Sequence, residues 1–383
     1  MKALKRNTIP DLVDLARWLV RQDTTLAARR ERAVLEELAA LLEDFGFNCR
    51  LFGYDPADSS RVSLVARLGA QKPGAALCLA GHIDVVPFGS APWAEDPLSG
   101  AIREGRLYGR GSTDMKGGAA ALLHAALGLA PDLKDGGLEV HLYGGEEQGL
   151  AGSLSLVKDH PEELAGIGAV VVAEPSANRP QAGHKGAFWL FLESHGVTAH
   201  SSMPDKGESA LAKILPAACR LKDYNPQAAH PYLGKSVATL TTLHSGLNVN
   251  SVPDYAGMTL DVRTVAGQDY QALLEQVRGL AGPEVAISVK QEIPPLWTDP
   301  DNPWFTRARK IASAVTGLDD GVETAFFSTD GAALRLALPD APIIVLGPGD
   351  PGLAHSTDEF VSLAELADAR EIYKRLIADW AGL

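Results

Sequence analysis

Apolar residues recur at helical spacing twice near the start of the chain, at Leu12, Leu15, Trp18 and Leu19 and again at Val34, Leu35, Leu38, Leu41 and Leu42. Each set predicts an amphipathic helix. Strands are expected next over residues 47–51 and 62–68. Four further short apolar runs, at 76–80, 138–143, 169–173 and 343–346, read as buried strands, and a helical stretch over 118–129 separates two of them. Strands alternating with helices predict an α/β domain with a mostly parallel central sheet.

The middle of the chain follows another order. Strand 187–194, helix 209–221, strands 236–243 and 255–263, helix 270–280 and strand 284–290 make a β-α-β-β-α-β succession, that of a ferredoxin-like α+β unit. Arg179-Pro180 stands before it and Pro294-Pro295 after it. The expected organisation is therefore a discontinuous α/β domain, residues 1–178 and 294–383, carrying an inserted domain over 179–293.

Composition limits the function classes. The 383 residues exceed the ~150 typical of one domain, which fits a host and an insert. With 46% hydrophobic and 22% charged residues a packed core is expected and wholesale disorder is not. The 48 acidic against 35 basic side chains leave a net charge of −13, which argues against nucleic-acid or anionic-membrane partners. Cys49, Cys78 and Cys219 are too scattered for a disulfide framework. The basic start lacks an apolar run behind it, and no 18-residue apolar stretch exists elsewhere, so a cytoplasmic protein is expected.

Ligands of open α/β sheets bind beyond the carboxyl ends of the strands. Gly81-His82-Ile83-Asp84 follows the run at 76–80, Gly144-Gly145-Glu146-Glu147 that at 138–143, Glu174-Pro175 that at 169–173, and a Gly-Pro-Gly turn with Ala354-His355-Ser356 that at 343–346. Asp114 lies in a glycine-rich segment, 109–118, ahead of the helix. Alone, each acid reads as a solvated loop carboxylate and each histidine as merely hydrogen-bonded. Converging on one rim, imidazoles and carboxylates would repel without cations, and the mixture suits zinc or a similar divalent ion. The glycine-rich segment is not a phosphate loop, because Met115 and not Gly stands immediately before Lys116, and Gly117 stands where Ser or Thr is required.

The motifs Gly81-His82-Ile83-Asp84-Val85-Val86-Pro87, Gly109-Arg110-Gly111-Ser112-Thr113-Asp114-Met115-Lys116-Gly117-Gly118, Gly144-Gly145-Glu146-Glu147, Ala173-Glu174-Pro175, His195-Gly196-Val197-Thr198-Ala199-His200-Ser201-Ser202 and the segment 346–359 occur in one order over most of the chain. Together they resemble the acetylornithine deacetylase / succinyl-diaminopimelate desuccinylase / aminoacylase / glutamate carboxypeptidase family of di-zinc hydrolases. The resemblance implies a catalytic domain with an inserted lid that forms a homodimer. It implies two divalent metal ions, zinc with cobalt or manganese as substitutes. Asp114 would bridge both ions, with His82 and Glu174 at one and Glu147 and His355 at the other. It further implies that Asp84 orients the His82 ring, that Glu146 is the general base, and that His200 reaches the active site from the partner subunit to hold the oxyanion. Arg263 and Asn250 would bind the substrate carboxylate, with backbone amides at Gly347 and Gly349 adding donors, and the peptide bond after Asp114 would be cis.

Glu rather than Asp at position 174 accompanies deacylases and carboxypeptidases in that family, which points to an N-acyl amino acid or short peptide substrate. Desuccinylases that resemble the chain carry an arginine two residues after the Asp of their Ser-Asp-Gly-Arg segment. Here Ala332 follows Asp330-Gly331, which favours an acetylornithine-deacetylase-like reaction. The alternatives are a carboxypeptidase or dipeptidase, a desuccinylase, and, from another class, a non-catalytic metal- or peptide-binding dimer. An intact Glu146 beside Glu147 favours the enzyme.

Overall fold

A computed structural model describes residues 4–69, 72–133, 137–318 and 321–383. The chain separates into two compact units: residues 1–183, 297–325 and 329–383 form the first, and residues 184–296 with 326–328 the second.

The main sheet runs through the strands Asn48–Gly53, Val62–Leu68, Leu138–Tyr143, Ala76–His82, Ile167–Val172, Ile343–Val345, Gln181–His184 and Leu296–Trp297, with Glu323–Ala325 pairing Gln181–His184 at the side. Its four central strands, Leu138–Tyr143, Ala76–His82, Ile167–Val172 and Ile343–Val345, are mutually parallel, and the neighbours on both sides join antiparallel. The fold is thus α/β with a largely parallel centre. Central parallel strands are covered on both faces; every residue of Ala76–His82 and Leu138–Tyr143 is buried, and in the second of these the polar Glu139 and His141 are buried as a pair, 2.8 Å apart.

Helix Gly117–Leu129 is buried almost all round, which explains its continuous Ala and Leu content. It lies between helices Leu12–Val20 and Leu363–Ala381 and the sheet. A Cβ at Gly118 would stand 2.0 Å from the Ala173 carbonyl oxygen, so only glycine lets the helix start beside the end of the central strand. Because the four central strands are parallel, the segments after His82, Tyr143, Val172 and Val345 all leave from one end of the sheet.

The second unit is a four-stranded antiparallel sheet in the order Val237–Ser245, Tyr255–Thr264, Gly186–His195, Ala286–Ile293. Helices Ala210–Leu221 and Tyr270–Ala281 cover the face formed by Phe188, Leu190, Leu192, Met258, Leu260 and Val262. Its element order and strand order are ferredoxin-like. Among the described residues no helix is long and apolar enough to cross a membrane.

Candidate metal centre

His82 is the last residue of its strand and is wholly buried. Its Nδ1 lies 3.0 Å from the Asp84 main-chain carbonyl and 3.5 Å from the Asp84 carboxylate, and its Nε2 faces Asp114 Oδ1 at 3.1 Å and Glu174 Oε1 at 3.5 Å. The other Asp114 oxygen, Oδ2, faces His355 Nε2 at 3.3 Å, and the same nitrogen stands 3.0 Å from Glu147 Oε1. One aspartate therefore presents one oxygen to each of two donor pairs, His82 with Glu174 and His355 with Glu147.

The loop that carries Asp114 is built around a carboxylate far along the chain. Glu359, fully buried, accepts the backbone N–H groups of Gly111, Thr113 and Asp114 at 3.0, 2.8 and 3.0 Å and pairs with buried Arg110 at 2.7 Å. Gly111 itself sits at a φ of 83°, a left-handed conformation that favours glycine. The Asp114–Met115 peptide bond is cis. Replacing Glu359 with Ala would strand the Arg110 charge and three amide donors in the interior. Breaking one side of a buried pair typically costs about 3–5 kcal/mol. The expected result is a loss of unfolding free energy of that order, read as a lower denaturant midpoint with the slope unchanged; an unshifted midpoint would count against this role.

The electrostatics describe a site built for cations. Burial works to lower the His82 pKa, yet Glu174, Asp114 and Asp84 outweigh it and hold it well above the usual imidazole value. Burial would raise Asp114, but hydrogen bonds from His355 and His82 keep it well below the ordinary carboxylate range. Glu146 and Glu174 are pushed well up, first by burial and then by the neighbouring carboxylates, and burial also raises Glu147 against the pull of His355. Donor atoms of His82, Asp114 and Glu147 gather within 4.8 Å of one another, as do those of His82, Glu146 and Glu174. Two imidazoles and this many carboxylates, gathered in one buried place, fit divalent cations of borderline softness.

The His355 pKa is lifted to about 10, first by the hydrogen bond it donates to Asp114 and then by that to Glu147. A cation must displace that proton to use the imidazole. Calorimetric metal titrations near pH 7 should therefore show heats that change with buffer ionisation enthalpy, reporting release of roughly one or two protons per chain. In the metal-free chain the raised value stabilises the fold fully below pH 6.5 and less as pH climbs through about 10. The thermal midpoint of that form should accordingly be lower at pH 10 than at pH 6.5, and a rise would contradict the assignment.

The Asp84 carboxylate, 3.5 Å from His82 Nδ1, has a further role that the sequence did not suggest: its two oxygens accept the backbone N–H groups of Glu146 and Glu147, each at 3.1 Å. One expectation needs correcting: the amides of Gly347 and Gly349 are not open donors. Gly347 N–H donates to the Ser176 hydroxyl at 3.1 Å and Gly349 N–H to Glu365 at 2.7 Å. Close packing explains these glycines instead, since a Cβ at Gly347 would lie 2.3 Å from the Ala173 carbonyl oxygen and one at Gly349 would lie 2.9 Å from the Thr113 side chain.

His200, Asn250 and Arg263 belong to the second unit. His200 is exposed, with Nδ1 2.8 Å from the Ser202 hydroxyl, and Asn250 lies beside it, its carbonyl accepting the Ser201 N–H at 3.0 Å. Arg263 pairs through Nε and Nη2 with Asp261 at 3.1 Å, and Asp261 also accepts the Trp189 indole N–H at 3.0 Å. The residues that the sequence reading passed over are Arg110 and Glu359 as the frame of the Asp114 loop, and Asp330, a fully buried carboxylate whose Oδ1 accepts the Ser153 hydroxyl at 2.5 Å. The only signal available for the first two was their charge inside otherwise small or polar motifs.

Residues 78–379 match the profile of peptidase family M20/M25/M40, most of the chain and all the site loops named above. The chain belongs to this family. It is accordingly a metal-dependent hydrolase. Within family M20, an acetylornithine deacetylase from Myxococcus xanthus is 31% identical to it over 98% of this chain and 99% of that one. A succinyl-diaminopimelate desuccinylase from Cereibacter sphaeroides is 28% identical over 91% and 94% respectively. Among solved structures, the M20 family metallo-carboxypeptidase Sso-CP2 from Sulfolobus solfataricus shares the fold, with a TM-score of 0.81 at 17% identity over 98% of this chain and 100% of that one.

Proposed function

We propose that the chain hydrolyses the amide bond of an N-acyl-L-amino acid, using two divalent cations, zinc by preference, and Glu146 as general base. The observation that carries this reading is Asp114, whose two oxygens face separate donor pairs while Glu146 and Glu147 stand side by side on one turn. His82, Glu174 and Asp114 would hold one cation, and His355, Glu147 and Asp114 the other. Such a pair lowers the pKa of a shared water toward neutrality and polarises the scissile carbonyl. Everything else falls to the protein. Asp84 holds the amides of the glutamate turn, so that Glu147 is committed to a cation and its neighbour is left to accept the proton of the attacking water and return it to the leaving amine. Burial and adjacent carboxylates raise the Glu146 pKa, which suits a group that must take a proton and give it back.

In the second unit, the bond from Ser202 fixes the ring of His200, the group assigned to the developing oxyanion. Asp261 engages one edge of Arg263, and Nη1 remains for the substrate carboxylate, with Asn250 beside His200. Supply of His200 across a homodimer formed by this unit, and a cytoplasmic location, belong to the same reading.

For the acyl group, Ala332 lies fully buried in helix Asp330–Ala337, so no cation stands there to hold a succinyl carboxylate. This favours an acetylated substrate of the kind named for the Myxococcus relative. The second reading is desuccinylation, supported by the names of several relatives of similar identity. A panel of N-acetylornithine, other N-acetyl amino acids, succinyl-diaminopimelate and dipeptides, assayed with added zinc, cobalt or manganese, tests both. Highest kcat/KM on an acetylated α-amino acid is expected. Inactivity on the whole panel with metal bound would favour a binding protein instead.

A further inference from the structure

The turn that carries Glu146 and Glu147 has a second brace, which none of the recognised motifs contains. Glu31, the first residue of helix Glu31–Glu43, is fully buried. Its carboxylate accepts a hydrogen bond from the Tyr54 hydroxyl at 2.7 Å and another from Arg61 Nη1 at 2.7 Å. Arg61 is buried too and donates through Nη2 to the Leu26 carbonyl. The carboxylate and the phenol lie directly against the two glycines that precede the glutamates. A Cβ at Gly144 would stand 2.7 Å from Glu31 Oε2, and one at Gly145 would stand 2.8 Å from the Tyr54 oxygen and 2.9 Å from its ring. Gly145 also has a φ of 68°, and its carbonyl accepts the Ala151 N–H at 2.8 Å as the chain enters helix Ala151–Asp159.

A buried ion pair is a weak source of stability, because desolvation offsets most of its attraction. What a fully partnered one does supply is a fixed position. Here Arg61 fixes Glu31, Glu31 fixes the phenol, and the phenol limits where the 144–145 backbone can stand.

We propose that Tyr54, braced by Glu31 and Arg61, is a positioning residue that holds the Gly144-Gly145 backbone and thereby sets the stance of Glu146 and Glu147. The proposal rests on reading Glu146 as base and Glu147 as a cation donor.

Tyr54→Phe keeps the ring against Gly145 and removes only the hydroxyl that Glu31 holds, whereas Tyr54→Ala removes the ring. Groups that orient metal donors typically account for about 10–100-fold in metal affinity or activity. On the full chain, kcat should fall about 10-fold for Tyr54→Phe and up to about 100-fold for Tyr54→Ala, with KM within about two-fold of the parent. Zinc titration of the metal-free chain should show one of two ions bound about 10-fold more weakly. Hydrogen exchange in the metal-free chain should quicken at the amides of residues 144–149 and stay unchanged in strand Ala76–His82. Parental kcat, zinc isotherm and exchange in Tyr54→Phe would overturn the proposal, and so would faster exchange spread evenly over the chain. Where Tyr54→Ala does not fold, Tyr54→Phe decides. If the parent hydrolyses no acyl amino acid, the functional reading fails, and the zinc and exchange measurements still judge the brace.

Discussion

Glu146→Gln should reduce hydrolysis by about 10²–10⁴-fold, the usual contribution of a general base, while leaving metal content at that of the parent. The amide of glutamine keeps the shape of the side chain, and the backbone N–H that Asp84 holds is untouched, so the turn should stay where it is. The experiment has force because Glu146 also lies in a cluster with His82 and Glu174 whose donor atoms approach within 4.8 Å. Geometry therefore offers it as a cation donor as well as a base. Metal analysis separates the two: loss of an ion from Glu146→Gln would reassign it, whereas an inert chain with its metal retained supports the base.

Asp114→Ala should be the most damaging single change at the centre. Both of its oxygens are engaged, one toward His82 and one toward His355, so its loss removes a donor from each pair at once and leaves both histidines facing only Glu174 and Glu147. Binding of both ions should weaken together, and activity should fall to background even with excess zinc. Loss of a single ion with residual turnover would show that Asp114 serves one pair only. Circular dichroism should remain that of the parent, since Glu359 accepts the backbone amide at position 114 and not its side chain.

Much of the centre was legible because residue type and position relative to strand ends survive in a linear sequence. His82, Glu146 and Glu174 each follow an apolar run that forms a central strand, and parallel strands deliver their following loops to one end of a sheet. The strands themselves were legible for a related reason. Covered on both faces, strands such as Ala76–His82 and Ile167–Val172 stay largely apolar at consecutive positions, and Val62–Leu68 and Leu138–Tyr143 have the predicted ends. Short segments such as Leu296–Trp297 and Phe360–Ser362 carry no such pattern, because two or three residues cannot show a period.

What the chain order could not reveal is which polar atom meets which. Asp84 stands two residues from His82 in sequence, yet its carboxylate serves amides more than sixty positions away. Glu359 frames a loop 245 residues upstream of it through three amides and an arginine. Gly347 and Gly349 read as open amide donors until Ser176 and Glu365 are seen to occupy them.

The sequence by itself determined the alternation of elements, the ferredoxin-like insert and the set of imidazoles and carboxylates available for cations, because burial and residue chemistry are written locally. The tertiary structure alone decided that Asp114 divides its oxygens between two pairs, that Asp84 holds the glutamate turn, and that Glu31 and Tyr54 lie behind it. Hydrogen bonds act over about 3 Å, and only folding brings atoms from distant stretches of chain within that range.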